Sequence, residues 1–158
     1  SGEHSLNKQE LSDAEILQFI DDINNYSVGL ISIGGGEALL RKELILQISD
    51  YLSGNNSKID LALVTNGYLM TKEYASQLRL PNIRSVQVSL DGFKENHERM
   101  RNMKGSYDRA IESIKYLIDA GHTVAVSFAP TKFNIDDIDE LFEFVKKVRC
   151  KGFLDVSH

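Results

Sequence analysis

Three consecutive glycines and a glutamate, Gly34 to Glu37, follow the apolar run Val28–Ile33 and precede Ala38-Leu39-Leu40. Glycines at such a turn bring peptide N–H and C=O groups close to a ligand. A carboxylate beside them offers acceptors only. Bared carbonyls and one carboxylate form a socket for an ammonium group, whereas a phosphate cradle favours a helix N-terminus with no negative charge nearby. The dinucleotide fingerprint fits poorly, because Leu39 stands where the third glycine of GxGxxG belongs. A tight turn with a solvated Glu37 is the plain alternative, and these residues alone leave both readings open.

Other polar and glycine residues follow further apolar runs: Thr65-Asn66-Gly67, then Ser89, Asp91 and Gly92, then Ser127 with Ala129–Asn134, and finally Ser157-His158. The elements that must position them alternate. Ser12 and Glu15 make a capping box ahead of Ile16, Phe19, Ile20 and Ile23 at helical spacing. Helices are also expected over Arg41–Leu52, Thr71–Leu78, Ser106–Gly121 (Ser106 as N-cap, Gly121 as stop) and Asn134–Val148. Strands are expected over 28–33, 59–65, 85–90, 123–128 and 153–157, and the near-continuous apolar character of the first predicts cover on both its faces. Alternating strands and helices make right-handed crossovers and a parallel sheet. The fold class is therefore α/β, with about five parallel strands, flanking helices and one domain over residues 1–158. All the singled-out residues then fall on one rim, where such sheets bind ligands.

Composition bounds the function. Of the 158 residues, 42% are hydrophobic and 26% charged, as in ordinary globular proteins, and the net charge of −5 argues against a nucleic-acid partner. No apolar run approaches the ~20 residues that span a bilayer. The single cysteine, Cys150, excludes an internal disulfide and any multi-cysteine metal site; it reads as a small buried hydrophobe, and the expected setting is cytoplasmic.

The segments GGEALL, VTNGYLM, VQVSLDGFKENHERMRNMKGSYDRAIESIKYLIDAG and TKFN occur in this order and together resemble the core of radical S-adenosylmethionine (radical SAM) enzymes, close to the branch that matures peptides and cofactors. The resemblance implies a partial (β/α) barrel. It also implies a 4Fe-4S cluster held by a CxxxCxxC loop after the family's first strand, and reductive cleavage of SAM to a 5′-deoxyadenosyl radical. Gly35, Gly36 and Glu37 resemble the GGE that holds the methionine ammonium of SAM. Asn66 falls at the matching rim position. Ser89 and Asp91 resemble residues near the SAM carboxylate and ribose hydroxyls. Arg101 resembles the arginine of HDRIRG. Ala38 stands for the family's usual proline and Asn102 for its glycine.

The cluster loop is absent, so the resemblance implies a fragment covering family strands two to six, with SAM as its small-molecule cofactor, a peptide as a substrate class of the longer enzyme, and no activity of its own. An uncovered Val28–Ile33 edge also invites self-association. Two other readings stand beside this one: a non-catalytic βα module for a nucleotide or peptide, and an unrelated βα-barrel enzyme using Glu37 and Asp91 as an acid–base pair. Read alone, NHERMRN is a solvated charged loop, His4, His97 and His122 are surface residues, and Lys132 and Asn134 begin a helix.

Overall fold

The computed structural model describes residues 10–26, 28–148 and 150–154. Its five strands are β1 (Leu30–Ile33), β2 (Asp60–Thr65), β3 (Ile83–Ser89), β4 (Val124–Phe128) and β5 (Lys151–Leu154). They pair parallel in the order of the chain. When each right-handed crossover returns beside the preceding strand in the same direction, all connecting helices fall on one face. The result is the wall of a barrel, without the reversal of strand order that marks a doubly wound sheet. The expected end of the last strand (155–157), and with it Ser157-His158 and His4, lies outside the described residues.

The helices are α1 (Asp13–Asn24), α2 (Lys42–Gly54), α3 (Lys72–Gln77), α4 (Lys94–Arg101), α5 (Ser106–Asp119) and α6 (Ile138–Lys147). They cover Leu61, Leu63, Val86, Val88, Val126 and Phe128, all nearly inaccessible. On α5, Ala110, Ile114 and Leu117 recur at helical spacing and are fully buried against this face; the isoleucine and the leucine each contribute about 1.5–3 kcal/mol of burial. A second cluster, built on Ile20, Leu44, Ile48 and Leu52, seals α1 and α2 against β1 and β2.

β1 is not covered on both faces: Leu30 and Ser32 are exposed. The face away from the helices carries Ser32, Ala62, Ser85, Gln87 and Ala125 around an open cavity of about 420 Å³. The runs read as continuous because several residues on that face are small apolar ones. Closed barrels fill this space with bulky branched side chains.

Caps explain several boundaries. The Ser12–Glu15 box forms as expected, with Glu15 N–H donating to Ser12 Oγ and Ser12 N–H to Glu15. Gly121, at φ +84°, ends α5: its N–H donates to Ile118 and that of His122 to Leu117, the Schellman pattern. Ser106 is not the N-cap of α5. Gly105 takes that place, and the Ser106 hydroxyl donates to the Met103 carbonyl at 2.8 Å. NHERMRN is helical within α4 as far as Arg101. Its N-terminus lacks a local side-chain cap and is closed by Asp137, which accepts from Phe93 N–H at 2.8 Å and the Asn96 amide at 2.9 Å. Among the described residues no helix is long and apolar enough to cross a membrane.

Candidate cofactor site

The C-terminal ends of β1 to β4 share one edge of the sheet, and side chains tie them together in pairs. Glu37 joins the ends of β1 and β2. Its Oε1 accepts from Leu39 N–H at 2.9 Å and from the Thr65 hydroxyl at 2.6 Å; its Oε2 accepts from Asn66 N–H at 2.8 Å. The alternative of a solvated Glu37 is thereby excluded. Gly35 has φ +116°, a conformation that disfavours any side chain, and a Cβ at Gly35 or Gly36 would meet nothing within 4 Å. The turn is therefore open above its backbone. No donor among the described residues reaches the carbonyls of Gly35 or Gly36.

Asp91 joins the ends of β3 and β4. Its Oδ2 lies 2.7 Å from the Arg101 guanidinium and its Oδ1 accepts from Ala129 N–H at 3.2 Å. Its N–H donates to His97 Nδ1 at 3.0 Å, and its carbonyl accepts from the Asn134 amide at 3.1 Å. With its carboxylate buried and one contact on each oxygen, Asp91 braces Arg101 against the segment beyond β4. Ser89 sits beside Ser127, with the hydroxyls 3.5 Å apart. Asn102 adopts the left-handed conformation (φ 48°) as C-cap of α4. Asparagine tolerates that region nearly as glycine does, so α4 ends at Arg101 and delivers it to Asp91.

His97 departs from expectation, and Asn134 in part. His97 is buried, and burial pushes its imidazole below the ordinary histidine range, with the Arg101 charge acting in the same sense and Asp91 and Glu98 opposing. Its Nδ1 accepts a hydrogen bond, so the neutral ring carries its proton on Nε2. Phe93, His97 and Arg101 recur every four residues, which puts the ring on the same side of α4 as Arg101. Asn134 is fully buried and stands at the N-cap position of a short 3-10 helix, Ile135–Asp137, without a side-chain cap bond; it donates to the carbonyls of Asp91 and Ala129, and its own oxygen accepts from Thr131 N–H. Asn66 contributes to Glu37 through its backbone, while its side chain accepts from Tyr68 N–H in a local turn. The side chain that holds Glu37 is Thr65, which the sequence places on the rim without marking a role for it. Its signal was parity: Leu61, Leu63 and Thr65 share the buried face of β2, and a polar residue there needs a partner.

An all-parallel barrel wall whose rim bears open carbonyls, a held carboxylate and a braced guanidinium defines a βα protein suited to an amino-acid-bearing ligand. The family comparison makes that class specific. The family model of the Radical SAM superfamily matches residues 3–145, and the chain belongs to that superfamily. It is 30% identical over 145 residues to the AdoMet-dependent heme synthase of Methanosarcina barkeri, covering 91% of this chain and 41% of that protein. It is 32% identical over 133 residues to mycofactocin maturase MftC of Mycolicibacterium smegmatis, covering 84% and 33%. Among solved structures, Streptococcus suis SuiB bound to S-adenosylmethionine superposes with a TM-score of 0.78 at 19% identity over 96% of this chain and 35% of that one, a likeness of fold. The chain thus spans less than half the length of these relatives.

Radical SAM enzymes use SAM and a 4Fe-4S cluster, and the two groups fit this chain differently. A 4Fe-4S cluster takes several thiolates. Cys150 is the only cysteine, and it precedes β5, at the end of the sheet opposite the rim. Burial raises its thiol above the ordinary range, which disfavours the thiolate a metal needs. No group of three or more His, Cys, Asp or Glu able to hold a metal occurs among the described residues. The residues present do not fit the cluster. The Gly35–Glu37 turn does fit the ammonium of SAM.

Proposed function

We propose that this chain is the SAM-binding part of a radical SAM enzyme of the peptide- or cofactor-modifying branch. One observation carries the reading: Glu37 is held by three donors at the rim while the carbonyls of Gly35 and Gly36 beside it remain open. In this reading the ammonium of SAM meets Glu37 and the glycine carbonyls, Arg101 clamps the methionine carboxylate from its strut on Asp91, and Ser89 offers a hydroxyl to the same end of the ligand. Asn66 shapes the pocket floor through its backbone. The acid–base alternative is disfavoured, because each carboxylate oxygen of Glu37 and Asp91 already meets a structural partner. A cytoplasmic setting suits the free thiol of Cys150. A peptide substrate for the longer enzyme is in keeping with a protein of the same fold, anSMEcpe, solved with bound AdoMet and the Cp18Cys peptide.

Thermal unfolding tests the reading. SAM at about a hundred times its dissociation constant stabilises the chain by about 2.7 kcal/mol, a rise in Tm of roughly 5–10 °C for a chain of this size. Inorganic phosphate gives no rise, and Glu37→Ala, whatever its own Tm, loses the response to SAM. A phosphate response as large as that of SAM, or a Glu37→Ala variant that still responds fully, would favour a nucleotide- or anion-binding module instead.

A further inference from the structure

We propose that Thr65 is the positioning residue of the ammonium socket, and that its hydroxyl decides which lone pair of Glu37 is left for the ligand. The inference rests on the SAM reading above. Its argument is a count of acceptors. A carboxylate has about four lone-pair sites, two on each oxygen. Oε1 of Glu37 accepts from Leu39 N–H and from Thr65, which fills it; Oε2 accepts from Asn66 N–H alone. One site therefore remains, on Oε2. With the open carbonyls of Gly35 and Gly36 it makes three acceptors, the number that a primary ammonium, with its three N–H donors, can satisfy.

The Thr65 hydroxyl is pinned in one orientation. Its oxygen accepts from Gly67 N–H at 3.0 Å, so its hydrogen points to Oε1 of Glu37. The residue is 2% exposed, and solvent has no room to replace the hydroxyl. Without it, Oε1 is half satisfied and the carboxylate is free to turn about its last bond, moving the open site on Oε2 away from the glycine carbonyls. Leu39 and Asn66 hold Glu37 through backbone N–H groups that substitution leaves in place. Among the described residues Thr65 is the one side chain in the arrangement, and hence the place where a substitution reaches it without touching Glu37 itself.

The test separates a positioning role from a structural one by using two ligands. SAM carries the ammonium; 5′-methylthioadenosine carries the same nucleoside and sulfur without it. Titrating the wild-type chain, Thr65→Val and Thr65→Ser by calorimetry is expected to show Thr65→Val weakening SAM about tenfold while changing methylthioadenosine less than twofold. Thr65→Ser, which keeps the hydroxyl, stays within about threefold of wild type for both. Equal weakening of the two ligands by Thr65→Val, or SAM affinity unchanged by it, overturns the proposal. If Thr65→Val does not fold, the wild-type Gly67 amide resonance decides, since that N–H reports on the Thr65 oxygen. SAM shifts it and methylthioadenosine does not; equal shifts, or none with SAM, overturn the proposal. A wild-type chain that binds methylthioadenosine but not SAM would remove the SAM reading itself, and this inference with it.

Discussion

Asp91→Ala is expected to lower the unfolding free energy by about 3 kcal/mol, and Tm by roughly 6–12 °C. The carboxylate is buried and binds two elements at once, Arg101 at the end of α4 and Ala129 N–H beyond β4. Its removal leaves the amide of Ala129 without a partner, which alone costs about 1–3 kcal/mol. Arg101, whose side chain is 35% exposed, recovers part of its hydration, so the loss stays below that of a fully buried pair. Arg101→Ala leaves the buried Asp91 carboxylate without its counter-charge and costs about as much, roughly 3 kcal/mol. Asp91→Asn, which keeps an acceptor for Ala129 and buries no charge, is the mildest of the three. Urea melts of the three variants check the order. An Asp91→Ala variant as stable as wild type would mean that Asp91 is a functional carboxylate held at a cost to the fold, as active-site groups often are, and the acid–base reading would return.

Anaerobic incubation of the 158-residue chain with iron and sulfide is expected to leave no chromophore after desalting and no cleavage of SAM under dithionite. The effect is total rather than graded, because thiolate ligation of a 4Fe-4S cluster needs several cysteines and Cys150 lies at the wrong end of the sheet. Cys150→Ala should give the same blank result. A stable brown product, together with release of 5′-deoxyadenosine, would contradict the reading that this chain contributes only the SAM-binding wall.

The parts of the fold written in local chemistry were legible in advance. The capping box at Ser12, the stop at Gly121 and the alternation of apolar runs each act over a few residues, and together they require a parallel sheet with its polar ends on one rim. The turn at Gly34–Glu37 was legible for the same reason: glycine at a strand end constrains what the backbone can approach. Helix α4 was not, because its N-terminal cap is Asp137, brought from beyond β4. His97 was read as a surface residue since nothing near it in sequence buries it; its cover comes from the packing of α4, including an edge-on contact with the Tyr107 ring of α5. Asn134 looked like a helix start because asparagine favours that place, yet its amide serves Asp91, 43 residues earlier. Thr65 and Asn66 show the finest limit. The sequence drew attention to the asparagine of Thr65-Asn66-Gly67, while the structure uses that residue's backbone and the threonine's side chain.

In the SAM reading the ends of β1, β2 and β3 form one mouth for a ligand bearing an amino acid. Titrating the isotopically labelled chain with SAM and following its backbone amide resonances tests this most directly. The expected result is that the largest shifts fall at residues 34–37, 65–67 and 89–92, with the loops at the other end of the sheet, 55–58, unmoved. Shifts concentrated at 55–58, or spread without regard to the rim, would contradict it.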